Sequence, residues 1–409
     1  MHLRPILSTL MRHKTAALLL VLEIAVTCAI VANALFIVAQ RAEGMRRPSG
    51  VDEDRLIQMS VSGVGKPANI DAITREDLQA LRAIPGVERA TITNQLPFLT
   101  SSSSNSGIAL SPDQEQSSLG VAFYRAGEEM VGTLGLKIVS GRDFAADEYV
   151  DVSRIESMTD SDLKTLRSPI LVNTAVANKL FPGQNAVGKV VYIGPIALTI
   201  IGVVQTLGRP NWSDGNLDYA MILPIRETYD GGIYVLRVKD PAERERVMRE
   251  AAAALDKVDA RRMLIVNQTY QTIRSDFFRN DRSMVALLVT VCLALLVVTA
   301  LGIVGLASFW VQQRTKQIGV RRALGATRGQ ILRYFQAENF LLATLGIVLG
   351  MLLAYGINQL LMARYELPRL PLLYLPIGAG ILWLLGQVAV FWPARRAASV
   401  PPAVATRSV

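Results

Sequence analysis

Residues 284–311 read MVALLVTVCLALLVVTALGIVGLASFWV, 28 consecutive residues without a charged side chain. An uncharged apolar run of this length is long enough to cross a bilayer as a helix. Residues 339–362 and 370–394 form two further runs of this kind, and residues 16–40 form a fourth that contains one charged residue, Glu23. The sequence therefore predicts an α-helical membrane protein with four transmembrane helices, numbered here in chain order as spans one to four.

The composition agrees with membrane spans joined to a water-exposed part. Hydrophobic residues make up 51% of the 409 residues and the mean hydropathy is +0.31. Charged residues, at 19%, fall below the ~25% typical of soluble proteins. The two cysteines, Cys28 and Cys292, both lie inside apolar runs, a placement typical of packing residues.

The first apolar run has an alternative interpretation as a cleavable signal peptide. Its residues 32–34, Ala-Asn-Ala, resemble a small-x-small cleavage site. The run is long for a signal peptide, and an acidic residue inside it would be unusual, so a span is favoured. Glu23 is costly in lipid and is expected to face a partner helix or the polar side of the bundle.

Basic residues predict the orientation of the spans. Residues 1–15, 312–333 and 395–409 hold 12 basic residues and no acidic one. Taking these 12 from the 43 basic residues leaves 31 against 34 acidic ones, a net charge of −3 for the remainder. The positive-inside rule therefore predicts cytoplasmic N- and C-terminal segments (1–15 and 395–409), with residues 41–283 outside. The net charge of +9 reflects topology, and no nucleic-acid partner is expected.

Residues 41–283 are predicted to form an extracytoplasmic α+β domain between spans one and two. A strand at 55–62, a helix at 73–84 capped by Thr74 with Asp77 three residues later, and a strand at 87–93 form one unit. A strand at 233–238, a helix at 241–258 and a strand at 263–266 repeat this order. The repetition predicts one split subdomain with halves at about 42–125 and 225–270, interrupted by an insertion at about 126–224.

The predicted insertion has its own short elements. We expect strands at 137–140, 170–173 and 198–204, and a helix at 174–180. The Ser-rich residues 100–106 and the charged residues 147–166 are typical of solvated loops. Such loops could dock a partner, but a flexible connection is the interpretation we favour.

No catalytic, cofactor-binding or metal site is predicted in this chain. Residues 183–190, GQNAVGKV, match the start of a phosphate-binding loop, but Val190 stands where the motif needs a hydroxyl for magnesium. A glycine turn leading into a strand explains the segment better. The only histidines, His2 and His13, precede span one, so a histidine-based triad or metal site outside the membrane is excluded.

The most informative segment lies between spans two and three. Residues 312–338 read QQRTKQIGVRRALGATRGQILRYFQAE, which predicts a short helix at 316–324 ended by Gly325 in the left-handed conformation. Thr327 and Gln330 form a capping box that starts the next helix. Such a basic helix is typical of an anchor on anionic lipid; docking into a cytoplasmic protein is the alternative.

This segment resembles the signature of FtsX-like permeases, which belong to the MacB/LolCDE group of ABC transporters. The similarity lies in residues 317–332, QIGVRRALGATRGQIL, and in residues 393–398, PARRAA, after span four. Residues 135–144, GLKIVSGRDF, and 172–189, VNTAVANKLFPGQNAVGK, resemble the MacB-type periplasmic core domain. With the four-span layout, the resemblance covers nearly the whole chain.

The resemblance implies a permease of the inner membrane that transmits the movement of a cytoplasmic ABC ATPase subunit. ATP and magnesium would bind to that subunit. The matching positions for ATPase coupling are Gln317, Ile318, Arg321, Arg322, Leu324, Gly325, Ala326, Thr327 and Arg328. The split subdomain would correspond to the porter subdomain, and residues 271–283 to a stalk leading into span two.

Further partners follow from the same resemblance. A second permease is expected, as a homodimer or a paralogous heterodimer, and a periplasmic adaptor and outer-membrane channel are consistent with it. Gln317 stands where the family usually has Glu, and residues 402–407, PAVATR, match the family tail only loosely. Because no ATPase domain is recognised in the chain, we expect a separate ATPase subunit.

Three functions are compatible with this resemblance. The first is efflux or extrusion of a substrate from the periplasmic side. The second is extraction of lipid-modified proteins, as in LolC and LolE, and the third is transmission of a signal to a periplasmic partner without transport, as in FtsX. The large two-part outer domain favours the first over the third. The sequence does not name the substrate.

Overall fold

The chain consists of a helical part and an α+β part. The structure, a computed structural model, describes residues 14–63, 65, 67, 69–100, 104–114, 116–211, 218–365 and 371–399. Arg47–Arg279 form one compact unit, called here the α+β unit, and the remainder forms the helical unit. Four helices in the described residues are long and apolar enough to cross a membrane, so the predicted fold class is confirmed. His2, His13 and the tail residues 400–409 lie outside the described residues.

The first half of the chain begins with span one and continues into the α+β unit. They are α1 (Lys14–Met45), β1 (Leu56–Gly63), α2 (Ile70–Arg82), β2 (Val87–Thr93), β3 (Asn105–Ile108), β4 (Leu119–Arg125), α3 (Met130–Leu134), β5 (Ile138–Gly141), β6 (Val150–Asp151), α4 (Val152–Glu156), α5 (Asp160–Thr165), β7 (Arg167–Asn173), α6 (Thr174–Leu180), β8 (Val190–Ile193) and β9 (Ile196–Val204). The α+β unit continues with β10 (Ala220–Leu223), β11 (Ile225–Arg226), β12 (Ile233–Val238), α7 (Arg244–Val258), β13 (Arg262–Thr269) and α8 (Tyr270–Phe277).

One antiparallel sheet joins the two halves of the split subdomain. Its strands lie in the order β13–β1–β12–β2. Helices α2 and α7 pack on it, with Leu81 and Val247 buried in one cluster with Ile57 and Tyr234. Two strand–helix–strand segments that interleave in this order form a ferredoxin-like arrangement. The predicted split is therefore confirmed, and these elements are called here the porter-like subdomain.

A buried ion pair crosses the core of the porter-like subdomain. Arg262 donates two hydrogen bonds to the Asp77 carboxylate, at 2.6 and 2.7 Å, and both side chains are buried. The Tyr234 hydroxyl donates to the same carboxylate at 2.5 Å. Burial, together with the neighbouring Asp77 charge, raises the pKa of Tyr234, so its phenol stays protonated as a donor.

The predicted start of α2 is wrong. The helix begins at Ile70, and Thr74 lies inside it with its hydroxyl donating to the Ile70 carbonyl at 2.9 Å. Thr74 and Asp77 have the spacing of a capping box, but Asp77 instead pairs with Arg262, 185 residues later in the chain. The spacing of Thr74 and Asp77 therefore resembles a capping box, but the sequence does not indicate that Asp77 pairs with Arg262.

The inserted subdomain is built on a mixed sheet. Its strands lie in the order β3–β4–β10–β7–β9–β5, and β8 pairs with β9. The predicted boundary at residue 126 is wrong, because β3 and β4 belong to this sheet. Strand β4 pairs in parallel with β10, so that Ala122 lies beside Ala220. The insertion therefore extends over about residues 105–223, a range set by long-range pairing that no local signal reports.

Two predicted loops and one glycine motif can be compared with the structure. The charged residues 147–166 were expected as a solvated loop, but they contain β6, α4 and α5. Of the Ser-rich segment, residues 101–103 lie outside the described residues, and Asn105 and Ser106 belong to β3. Gly183 and Gly188 have positive φ angles and β8 begins at Val190, which confirms the predicted turn into a strand.

The helical unit contains α1 and four later helices of the chain. These are α9 (Arg279–Gln313), α10 (Thr315–Ala323), α11 (Arg328–Tyr365) and α12 (Tyr374–Ala398). The first three long helices extend beyond the predicted spans 16–40, 284–311 and 339–362 at both ends. The fourth is shifted relative to the predicted span 370–394, since α12 begins at Tyr374 and ends at Ala398. Between α8 and α9 the helix is interrupted at Phe278, so the predicted stalk at 271–283 is not one continuous helix.

Small residues bring α1 and its neighbours close together. A Cβ atom at Gly350 of α11 would lie 2.6 Å from the Ala25 carbonyl of α1, and a Cβ atom at Gly346 would lie 2.8 Å from the Ile24 Cβ. Such small-xxx-small spacing is typical of tightly packed membrane helices. Ala32, part of the candidate cleavage site, is fully buried and packs near Gly378 of α12. The first apolar run is thus packed as a membrane span.

Glu23 faces α9. A Cβ atom at Gly302 would lie 2.6 Å from a Glu23 carboxylate oxygen, so the Glu23 side chain lies directly against the Gly302 position of α9. One turn further along α1, the hydroxyls of Thr27 and Thr299 are 2.9 Å apart. The expectation that Glu23 faces a partner helix is confirmed.

Candidate functional site

A sharp turn separates the short helix α10 from span three. Gly325 adopts φ +96°, a conformation that side chains with a Cβ rarely accept. The Thr327 backbone NH donates to Gln330 Oε1 at 3.0 Å, and the Gln330 NH donates to the Thr327 hydroxyl at 3.3 Å. The predicted helix stop and capping box are therefore confirmed, and they turn the chain from α10 into α11.

The nine residues predicted for ATPase coupling lie on this turn but differ in exposure. Leu324 is 83% exposed, and Gln317, Arg321, Thr327 and Arg328 are also exposed. Ile318, in contrast, is 5% exposed and belongs to the core cluster of the helical unit. The Ile318 side chain therefore anchors α10 to the bundle, and its part in ATPase coupling stays a prediction.

The exposed surface of α10 combines apolar and basic side chains. Val320 is 51% exposed and Leu324 83%, and Arg321 and Arg328 lie beside them in the sequence. Arg321 also packs over the Tyr334 ring, with its guanidinium carbon 5.1 Å from the ring centre. Large exposed apolar side chains close to arginines are typical of protein-docking surfaces.

A buried ion pair holds the start of α10 to α11. Arg314, between α9 and α10, donates to both Glu338 carboxylate oxygens at 2.9 and 3.1 Å. Glu338 is 1% exposed and Arg314 11%. The Arg314 guanidinium also approaches the Trp310 ring. The pair therefore ties the end of span two to the beginning of span three.

Arg322 connects α10 to the end of α12. Its guanidinium donates to the Ala398 carbonyl at 3.1 Å. An arginine at a helix C-terminus is a favourable partner for the unpaired carbonyls there. As a result, α10 and the C-terminal end of span four lie on the same side of the helical unit.

A cavity of about 430 Å³ lies between α10 and the first turns of α11. Four of the predicted coupling residues contribute to its wall, together with Arg333 and Phe335: Gln317, Ile318, Arg321 and Ala326. Some of the predicted residues are thus exposed, some line the cavity, and Gln317 and Arg321 do both.

Sequence reasoning missed Glu338 and the role of Arg314. Arg314 was counted only as one of the basic residues that set the orientation. Glu338 is the only acidic residue among residues 312–338, and an acidic residue beside an apolar span requires a partner. Applied to Glu338, the requirement for a partner would have pointed to an ion pair with a nearby basic residue such as Arg314.

Two segments of the chain match known protein families. Residues 15–254 match the MacB-like periplasmic core domain, and residues 289–402 match the FtsX-like permease C-terminal domain. The chain belongs to the MacB and FtsX-like family of ABC transporter permeases. In this family assignment, α10 and its turn lie within the FtsX-like domain, and the porter-like and inserted subdomains lie mostly within the MacB-like domain.

Individual proteins resemble this permease over different shares of its length. YknZ of Bacillus subtilis, described as an uncharacterized ABC transporter permease, is 23% identical, over 99% of this chain and 98% of the relative. The macrolide export ATP-binding/permease protein MacB of Chromobacterium violaceum is 26% identical over 64% of this chain, which spans 42% of that relative's length. The solved periplasmic region of MacB from Actinobacillus actinomycetemcomitans covers 58% of this chain and 97% of its own, at 14% identity with a TM-score of 0.33.

Proposed function

We propose that this permease couples ATP hydrolysis by a separate cytoplasmic ATPase subunit to movement of the α+β unit. The surface around Val320 and Leu324 would be the ATPase docking site, and the movement would drive extrusion of a substrate from the periplasmic side. In this proposal the permease lies in the inner membrane with both termini in the cytoplasm. It pairs with a second permease, and a periplasmic adaptor and outer-membrane channel complete the export route.

The exposed apolar face of α10 carries this proposal. A nine-residue helix has too few hydrogen bonds to be stable alone, yet α10 is anchored by Ile318, by Arg322 on Ala398 and by the Arg314–Glu338 pair. A helix fixed at several points transmits a push to the spans it contacts. With Leu324 83% exposed, the anchored helix still presents an apolar side chain to a partner.

Replacing Leu324 with Glu is expected to reduce ATPase capture at least tenfold. The substitution places a charge at the centre of an apolar contact, where truncation of a central side chain typically costs about 2 kcal/mol or more. The measurement is affinity purification of the tagged full chain from membranes, with the co-purifying ATPase quantified by mass spectrometry.

Gln312→Glu is the matched control, because it adds the same charge at an exposed residue outside α10. It is expected to leave ATPase capture unchanged. Recovery of no ATPase with the unmodified chain, or equal capture by Leu324→Glu, would refute the proposal.

A further inference from the structure

The cavity between α10 and α11 is positively charged. Arg314, Arg321 and Arg333 contribute to its wall, and the described residues that line it include no Asp or Glu. Arg314 is neutralised by Glu338, whereas Arg321 lies over the Tyr334 ring and Arg333 is exposed. Two guanidinium groups therefore favour an anion in this space.

The same cavity also has an apolar side. Ile318, Ile331 and Phe335 line it, and each of them is 5–6% exposed. An occupant in contact with both walls must carry an anionic group next to an apolar portion. Inorganic anions satisfy only the first condition.

The position of the cavity along the chain matches the headgroup layer of a bilayer. Its lining residues fall between Arg314 and Phe335, just after the uncharged run that ends at residue 311 and just before the one that begins at residue 339. Chain segments that directly flank an apolar span lie at the polar headgroups. Basic pockets between membrane helices on the cytoplasmic side are suited to anionic lipid headgroups.

We infer that this cavity binds the phosphodiester headgroup of an anionic phospholipid, with Arg321 and Arg333 on the phosphate and Ile318, Ile331 and Phe335 beside the glycerol and upper acyl chain. The volume of about 430 Å³ is more than ten times the ~30 Å³ that one water molecule occupies in the liquid. The cavity is therefore large enough for a headgroup with its glycerol. The bound lipid would brace α10 against α11.

The test uses the purified full chain and two lipids with identical acyl chains, anionic phosphatidylglycerol and zwitterionic phosphatidylcholine. Native mass spectrometry measures how many lipid molecules each variant retains during a titration. The unmodified chain is expected to retain more phosphatidylglycerol than phosphatidylcholine. Arg333→Gln should weaken this retention about fivefold, the factor expected for one arginine near an anionic lipid.

Arg396→Gln serves as the control, since Arg396 is an exposed arginine at the end of α12 and does not line the cavity. Unchanged retention by this variant supports the inference. Equal retention of the two lipids, or equal weakening by both substitutions, would overturn it. Displacement of the lipid by excess inorganic phosphate would indicate a free-anion site, and displacement by the ATPase would indicate an acidic side chain of that partner; either outcome also overturns the lipid assignment.

Discussion

Replacing Glu338 with alanine is expected to destabilise the helical unit by about 3–5 kcal/mol, the range measured when one partner of a buried ion pair is removed. The Arg314 guanidinium would remain 11% exposed without its carboxylate. Because the pair joins the end of span two to span three next to α10, the variant should also lose the coupling to ATP hydrolysis that we propose. Thermal unfolding of the full chain in detergent measures the first effect, and substrate-coupled ATP hydrolysis measures the second.

A double substitution separates stability from coupling. Replacing a buried ion pair by apolar residues of similar volume is often neutral or stabilising, so Arg314→Met with Glu338→Leu should recover most of the lost stability. We expect this double variant to remain uncoupled, because the contact from one Arg314 nitrogen to both Glu338 oxygens ties the start of α10 to α11. Full recovery of coupled activity would show that the pair contributes only to folding.

Replacing Arg262 with alanine is expected to destabilise the porter-like subdomain by about 3–5 kcal/mol. Its guanidinium is 3% exposed and makes two hydrogen bonds to Asp77, so the substitution leaves a carboxylate buried in the core. The Tyr234 hydroxyl would still donate to Asp77, but one neutral donor does not replace a charge. Hydrogen exchange on the full chain should show faster exchange in β1, β12 and β13.

The neighbouring residue provides a matched control. Arg261 also makes two side-chain hydrogen bonds to an aspartate, Asp259, but its side chain is 82% exposed. Exposed pairs of this kind contribute little to stability, so Arg261→Ala should leave exchange in the sheet unchanged. Similar exchange in the two variants would contradict the assignment of Asp77–Arg262 as a core pair.

Features encoded by neighbouring residues were predictable from the sequence. Each span is an uncharged run of sufficient length, and the turn after α10 depends on Gly325, Thr327 and Gln330 within six residues of each other. The split of the porter-like subdomain was visible because its two halves repeat the same strand–helix–strand order. These signals do not depend on the rest of the fold.

Features that depend on distant partners were not predictable. The pairing of β4 with β10 moved the insertion boundary from about residue 126 to about residue 105, and Asp77 was assigned to a helix cap because Arg262 is 185 residues away. Ile318 was assigned to ATPase coupling by its match to the family signature, and its burial in the helical unit depends on packing between helices. In each case, contacts between residues far apart in the sequence determine the structure, and the neighbouring residues alone do not.

Cysteine cross-linking at Leu324 tests the central claim, that an ATPase docks on α10, most directly. In a Cys292→Ser background, Leu324→Cys should form a cross-link with a separate ATPase polypeptide, and its yield should change when ATP is added. Leu372→Cys is the control and should form no cross-link: Leu372 is 69% exposed and lies between α11 and α12. A Leu324→Cys variant that captures no ATPase, or that captures it no better than Leu372→Cys, would contradict the coupling role assigned to this helix.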